Sequence, residues 1–189
     1  GLAGGGAVLP ADPCKDAANG DYTLTNAVAM NSNIGDPRWN PMRGSNPSSE
    51  ITVENVTDLL TAISAGKSTI TLKAGTYDFT TVADGAEVSN GVLAVSGSLN
   101  LVGEEGAALV GGFKISGDAV MTFTLRGLEI SGAGAIQNLI EIGSKDVAMT
   151  SVVLKNNVIS DYNNRLFYMS QEGAVISSFD MTGNYVHDM

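Results

Sequence analysis

One cysteine, one histidine and one tryptophan are all that this chain has of three residue types that often carry chemistry. With Cys14 alone, no intrachain disulfide can form and a multi-thiolate metal site is excluded, so cysteine usage leaves the compartment open. Positive charge is scarce as well. Ten Lys and Arg face twenty Asp and Glu, for a net charge of -10. A surface of that sign repels phosphate backbones, and no basic run interleaved with aromatics interrupts it, which argues against a nucleic-acid partner. Acidic polysaccharides meet the same repulsion unless a local basic patch or a bound cation intervenes. No apolar run approaches the ~18 residues that span a bilayer. No charged-then-apolar leader is visible either, so any export signal is expected to have been removed ahead of Gly1.

What is abundant is glycine, at 23 of 189 residues, alongside many Ser, Thr and Asn. With 43% hydrophobic residues, a sizeable core is available and the composition argues against global disorder. The mix fits short strands joined by tight turns and fits a helical bundle poorly.

Residues 1–50 read as an extended arm or linker, or as the tail of a preceding domain. The prolines and Trp39 fall here, with one strand-like run at Tyr22-Thr23-Leu24-Thr25. Segments such as Asn31 to Trp39 and Asn46-Pro47-Ser48-Ser49 have turn chemistry. Tyr22 and Trp39 serve better as anchors for the arm than as sugar-stacking platforms. Residues 51–189 read as the folded domain. In it, Val56, Leu59, Leu60 and Ile63 form one apolar stripe, Asn55 with Asp58 resembles a capping box, and Gly66 is a C-terminal stop. The expected helix at 55–66 is placed to cover the open start of a strand stack.

From Ser68 onward the chain repeats itself. Leu125-Arg126-Gly127-Leu128-Glu129-Ile130-Ser131 parallels Leu154-Lys155-Asn156-Asn157-Val158-Ile159-Ser160 and then Met181-Thr182-Gly183-Asn184-Tyr185-Val186-His187. A second series, Phe113-Lys114-Ile115, Ile140-Glu141-Ile142 and Phe167-Tyr168-Met169, recurs with a step of 27 residues. Two interleaved series with one period predict a coil of three short strands, stacked so that like positions lie over one another. Ile70-Leu72 and Leu99-Leu101 fit earlier, less regular coils. Gly127, Asn156-Asn157 and Gly183-Asn184 sit at tight bends, where stacked Asn side chains can bond from coil to coil. The fold class is therefore all-β: a right-handed parallel β-helix of roughly four to five coils, with a capping helix and an extended N-terminal arm.

The entry run Ile70-Thr71-Leu72-Lys73-Ala74-Gly75-Thr76-Tyr77 after the capping helix, and the Asn-bearing coil pattern, resemble the pectate-lyase-like β-helix superfamily. With Gly20-Asp21-Tyr22-Thr23-Leu24-Thr25-Asn26 and Ile34 to Trp39, the chain is similar to secreted β-helix domains of unknown function from gut Bacteroidota. The resemblance implies an exported or cell-surface bacterial module with a carbohydrate-related role, binding glycans or building a surface protein. Alternatives are a polysaccharide lyase or hydrolase and an adhesive or interaction scaffold. By the same resemblance, a substrate groove lies on the 113/140/167 sheet, lined by Lys114, Glu141 and Tyr168 with Asp161, Tyr162 and Arg165 from the adjoining turn.

A lyase of that kind needs an Arg or Lys base beside a carboxylate cluster that holds calcium. Glu141 is a single carboxylate, so calcium is unsupported, no cofactor or metal is assigned, and enzyme activity is not favoured. His187 beside Asp188 takes the place of Ser131 and Ser160 and reads as structural rather than as a general base. Other catalytic motifs are absent. The last strand run lacks a capping segment. It predicts further sequence, a partner chain or second copy, or the arm acting as a lid.

Overall fold

In a computed structural model, residues 14–16, 19, 21–24, 50–116, 120–144, 147–169 and 172–189 are described. The protein is mostly β, with parallel sheets and, among the described residues, one α-helix. The chain divides into two compact units, Gly1–Ser48 and Ser49–Met189.

In the first unit, β1 (Cys14–Asp16) pairs antiparallel with β2 (Asp21–Leu24). Lys15 Nζ lies 3.3 Å from Asp21 Oδ2, and Asn19 Nδ2 donates to Asp16 Oδ2 at 2.8 Å. The expected strand at Tyr22 is thus half of a hairpin. Its partner, Cys14-Lys15-Asp16, has no apolar alternation to reveal it. Trp39 and the turn segments around it lie outside the described residues.

The second unit is built on three sheets. The first contains β3 (Glu50–Val53), β4 (Thr69–Leu72), β8 (Leu99–Gly103), β11 (Val120–Arg126) and β14 (Ala148–Lys155). Both β17 (Val175–Ile176) and β18 (Phe179–Thr182) pair with β14. The second contains β5 (Gly75–Asp78), β9 (Ala107–Val110), β12 (Glu129–Ser131), β15 (Val158–Ser160) and β19 (Tyr185–His187). The third contains β6 (Val88–Ser89), β7 (Val92–Val95), β10 (Gly112–Ile115), β13 (Asn138–Ile142) and β16 (Arg165–Met169). From β4 onward the chain passes from first sheet to second to third and then returns to the first. All pairings in this unit are parallel except β6 with β7.

The repeat sets the register. Phe113, Ile140 and Phe167 are partners across β10, β13 and β16, and Leu125, Leu154 and Met181 across β11, β14 and β18. Ile130, Ile159 and Val186 align in the second sheet. Because side chains alternate along a strand, these columns point to one interior. Leu125, Leu154, Ile130, Ile159, Phe113 and Ile140 join a single buried cluster drawn from all three sheets. Earlier the step is longer: Ile70 pairs with Leu101. The short 3-10 turn at Phe79–Thr81 and the antiparallel β6–β7 pair occupy the intervening length.

Helix α1 (Val56–Ser64) starts where the capping pattern places it. Asn55 Oδ1 accepts from the Asp58 N–H at 2.9 Å, and Asn55 Nδ2 donates to Asp58 Oδ2 at 2.8 Å. Gly66 at φ +75 ends it with the left-handed residue that a C-terminal stop requires. Its Leu59 and Ala62 are buried against the early strands β3, β4 and β5.

Bends are held by asparagine. Asn156 at φ +55 and Gly183 at φ +70 make the left-handed steps, and Asn157 and Asn184 follow them. Asn157 Nδ2 donates to Leu125 O and to Asn184 Oδ1, while its Oδ1 accepts from the Leu128 N–H. Asn184 Nδ2 donates in turn to Leu154 O. Each amide thereby closes backbone groups that the bend would otherwise leave unpaired.

Candidate functional site

The outward positions of the third sheet carry the polar residues expected there. Lys114, Glu141 and Tyr168 are direct register partners on β10, β13 and β16. Lys114 Nζ lies 3.5 Å from Glu141 Oε1, with both side chains partly exposed. Arg165, at the start of β16, lays its guanidinium over the Tyr168 ring, 4.7 Å from the centroid. That cation–π contact leaves one aromatic face already covered.

Two clefts open on this face and share Asn90, Val92 and Glu141. One, of about 230 Å³, adds Ala135, Ile136, Gln137 and Asn138 to its walls. The other, of about 300 Å³, adds Glu87, Ser89, Ala94 and Lys114. Their shared walls make one groove with an apolar floor and amide, hydroxyl and charged groups at its edges. The Asn90 N–H donates to Asp84 Oδ1 at 2.6 Å, which fixes the left-handed turn at φ +50 that forms one wall.

Within this groove Asn138 stands apart. Its Oδ1 is buried and has no hydrogen-bond partner. An orphaned buried acceptor costs on the order of 1–3 kcal/mol unless something donates to it. Asn138 escapes a reading based on the Ile140-Glu141-Ile142 alternation because it lies before that triplet. Its signal is positional: it is the register partner of Arg165, one step of the repeat away.

The turn residues part company. Asp161, at φ +60, directs its carboxylate to the end of the second sheet, where Oδ2 accepts from Ser160 Oγ at 2.7 Å and Ser131 Oγ at 3.0 Å. Those two hydroxyls, the Ser160 bond first, hold its carboxyl below the usual range, with a smaller contribution from His187. Tyr162 does not line a groove. It is 1% exposed, and its hydroxyl donates to Gly111 O at 2.5 Å. Burial pushes its phenol well above the ordinary value. Space for the ring comes from Gly132, where a Cβ would lie 2.8 Å from Tyr162 Cδ1 and 2.5 Å from Asp161 O.

His187 continues the Ser131 and Ser160 column, and its Nδ1 lies 2.7 Å from Asp188 Oδ2. Its ring stacks at a tilt against Tyr185, 5.0 Å between centroids. Among the described residues, no group of three or more His, Cys, Asp or Glu side chains is placed to hold a metal ion. No described helix is long and apolar enough to cross a membrane. No protein-family model matches the chain, and no curated protein or solved structure is significantly similar to it.

Proposed function

We propose that this chain is a right-handed parallel β-helix of the pectate-lyase-like kind, from an exported or cell-surface bacterial protein, and that the third-sheet groove binds a neutral glycan. Support for the β-helix comes from the fixed cycle through three parallel sheets. Its hand follows from the rule that parallel crossovers are right-handed in ≈ 98% of cases.

The observation that carries the binding role is the groove around Asn138. Sugars are recognised by fixed polar groups that meet hydroxyls over an apolar floor. The groove offers Asn90, Gln137, Asn138 and Ser89 for that purpose, and a turn of the Asn138 side chain toward the cleft would let a sugar hydroxyl donate to the Oδ1 that has no partner inside. A neutral ligand fits the charge. Lys114 is paired with Glu141, Glu87 adds a second carboxylate, and the chain as a whole is acidic, so a uronate would meet net repulsion.

The test is a binding screen against cello-, xylo-, manno- and galacto-oligosaccharides, with oligogalacturonate as the charged comparison. Absorbance at 235 nm is followed for unsaturated uronates. Binding of a neutral oligosaccharide, weakened at least tenfold in Asn138→Leu, is the expected outcome. Growth of absorbance on oligogalacturonate would replace binding by β-elimination, and silence throughout would remove the glycan role.

A further inference from the structure

A third cleft, of about 630 Å³, lies beside helix α1. Val56 and Leu60 of the helix, with Val82 just past the 3-10 turn, give it apolar walls. All three are only partly buried against the core, so each keeps a flank toward the cleft. Glu87 lines this cleft and the third-sheet groove alike, and so joins the two. Its carbonyl accepts from the Ala94 N–H at 2.7 Å, which ties it to β7, and its carboxylate bonds to Ser64 Oγ on the helix.

The combined path is long. From β13 through β10 and β7 to β6 is three strand spacings, about 14 Å. The α1 cleft then begins at Glu87, the residue before β6. Along the way Ala94 is the register partner of Lys114, and its short side chain keeps the sheet surface low between Lys114 and Glu87.

The polar groups of the α1 cleft are mainly acceptors. Thr61 Oγ1 donates to Thr57 O at 2.8 Å and Thr81 Oγ1 to Asp78 O at 2.9 Å, while the Ser64 hydroxyl is taken up by Leu60 O and the Glu87 carboxylate. With those protons spent inside the protein, each hydroxyl oxygen keeps a lone pair for a ligand, and Glu87 adds carboxylate oxygens. Such a lining calls for a ligand rich in donors, and on a chain of net charge -10 it repels an anion. A neutral sugar supplies hydroxyl donors together with ring faces for the Val56, Leu60 and Val82 walls. We propose that the cleft beside α1 is a further subsite for the neutral oligosaccharide, taking the sugar residues that run past β6, a role that rests on glycan binding in the third-sheet groove.

The experiment is isothermal titration calorimetry of the full chain with cello-, xylo- and manno-oligosaccharides from disaccharide to hexasaccharide, with a lysine hexapeptide as the cationic comparison. Thr61→Arg is the blocking variant. Thr61 is exposed, arginine is a good helix former, and its long side chain fills the cleft next to Glu87. The expected result is a hexasaccharide bound at least tenfold more tightly than the disaccharide, with that gain lost in Thr61→Arg and the disaccharide affinity unchanged. Equal affinities across the series, or a length gain that survives Thr61→Arg, would overturn the subsite and leave the third-sheet groove standing. Silence with every saccharide would remove the groove and the subsite together. Binding of the lysine hexapeptide that Thr61→Arg abolishes, without a length gain on sugars, would give the cleft to a basic peptide instead. If Thr61→Arg does not fold, amide shift mapping of the wild type decides. Shifts at Thr57, Thr61 and Thr81 caused by the hexasaccharide and not by the disaccharide support the subsite, and an unmoved α1 contradicts it.

Discussion

Asn157 and Asn184 occupy the same bend one repeat apart, and their side chains are joined: Asn157 Nδ2 donates to Asn184 Oδ1 at 3.0 Å. The pair acts through backbone. Asn157, 2% exposed, serves Leu125 O and the Leu128 N–H of the preceding repeat, so its amide fixes the spacing of three successive turns.

Asn157→Ala removes the buried acceptor of the Leu128 N–H and the side-chain donor to Leu125 O. A loss of about 3 kcal/mol is expected, against about 1 kcal/mol for Asn184→Ala, whose bonds are partly solvated. Urea denaturation of both variants measures the difference. Equal losses would contradict the ladder.

Tyr162 ties the turn after β15 to Gly111, two repeats back. Tyr162→Phe keeps the ring and removes one buried bond, so about 1.5 kcal/mol is expected in chemical denaturation. The phenol is raised in the folded chain by burial, as is that of Tyr77. A raised phenol favours the neutral folded form at ordinary pH. The contribution is fully present below the unfolded value near 10 and is lost as pH rises beyond it. Tyrosinate absorbance should therefore show Tyr162 titrating only with unfolding and Tyr77 titrating above the ordinary phenol value.

Asp161 has the opposite sign. Its carboxyl is held low by Ser160 and then Ser131, so its contribution is present above the ordinary carboxylate value and lost as pH falls through the depressed one. Asp161→Asn tolerates the left-handed backbone but removes the charge. The stability gap between wild type and variant should be widest at neutral pH and should close in acid. A gap independent of pH would refute the assignment.

Gly132→Ala tests the close approach that Tyr162 requires. A Cβ there would sit 2.5 Å from Asp161 O, a backbone atom that cannot give way cheaply. Overpacking of about 2 kcal/mol is expected. A thermal midpoint unchanged from wild type would show that the turn has room to spare.

Much of this arrangement is legible in the residues themselves. The step from Phe113 to Ile140 to Phe167 is the observed register, and Asn55, Asp58 and Gly66 bound the helix as their chemistry dictates. Tyr162 is the instructive failure. In a polar turn, Asp161-Tyr162-Asn163-Asn164, it reads as exposed, yet the column of its neighbour Asp161 contains Gly132 and Gly111 in the preceding repeats, and the ring lies over Gly132. Two glycines stacked beside an aromatic mark room made for a large side chain, a signal visible only once the register is known. Asn138 was hidden for the same reason, and the β1 strand because three polar residues carry no alternation.

The groove of the third sheet is the central claim. Removing the Lys114–Glu141 pair, which is part exposed, should cost under about 1 kcal/mol of stability, so variants there can report on binding alone. The most direct measurement is backbone amide chemical-shift mapping of the chain titrated with the neutral oligosaccharide that binds best. Shifts centred on Asn90, Val92, Lys114, Asn138 and Glu141, and abolished by Asn138→Leu, are the predicted result. Saturable shifts centred on α1 or the β19 end, with the third sheet unmoved, would contradict it.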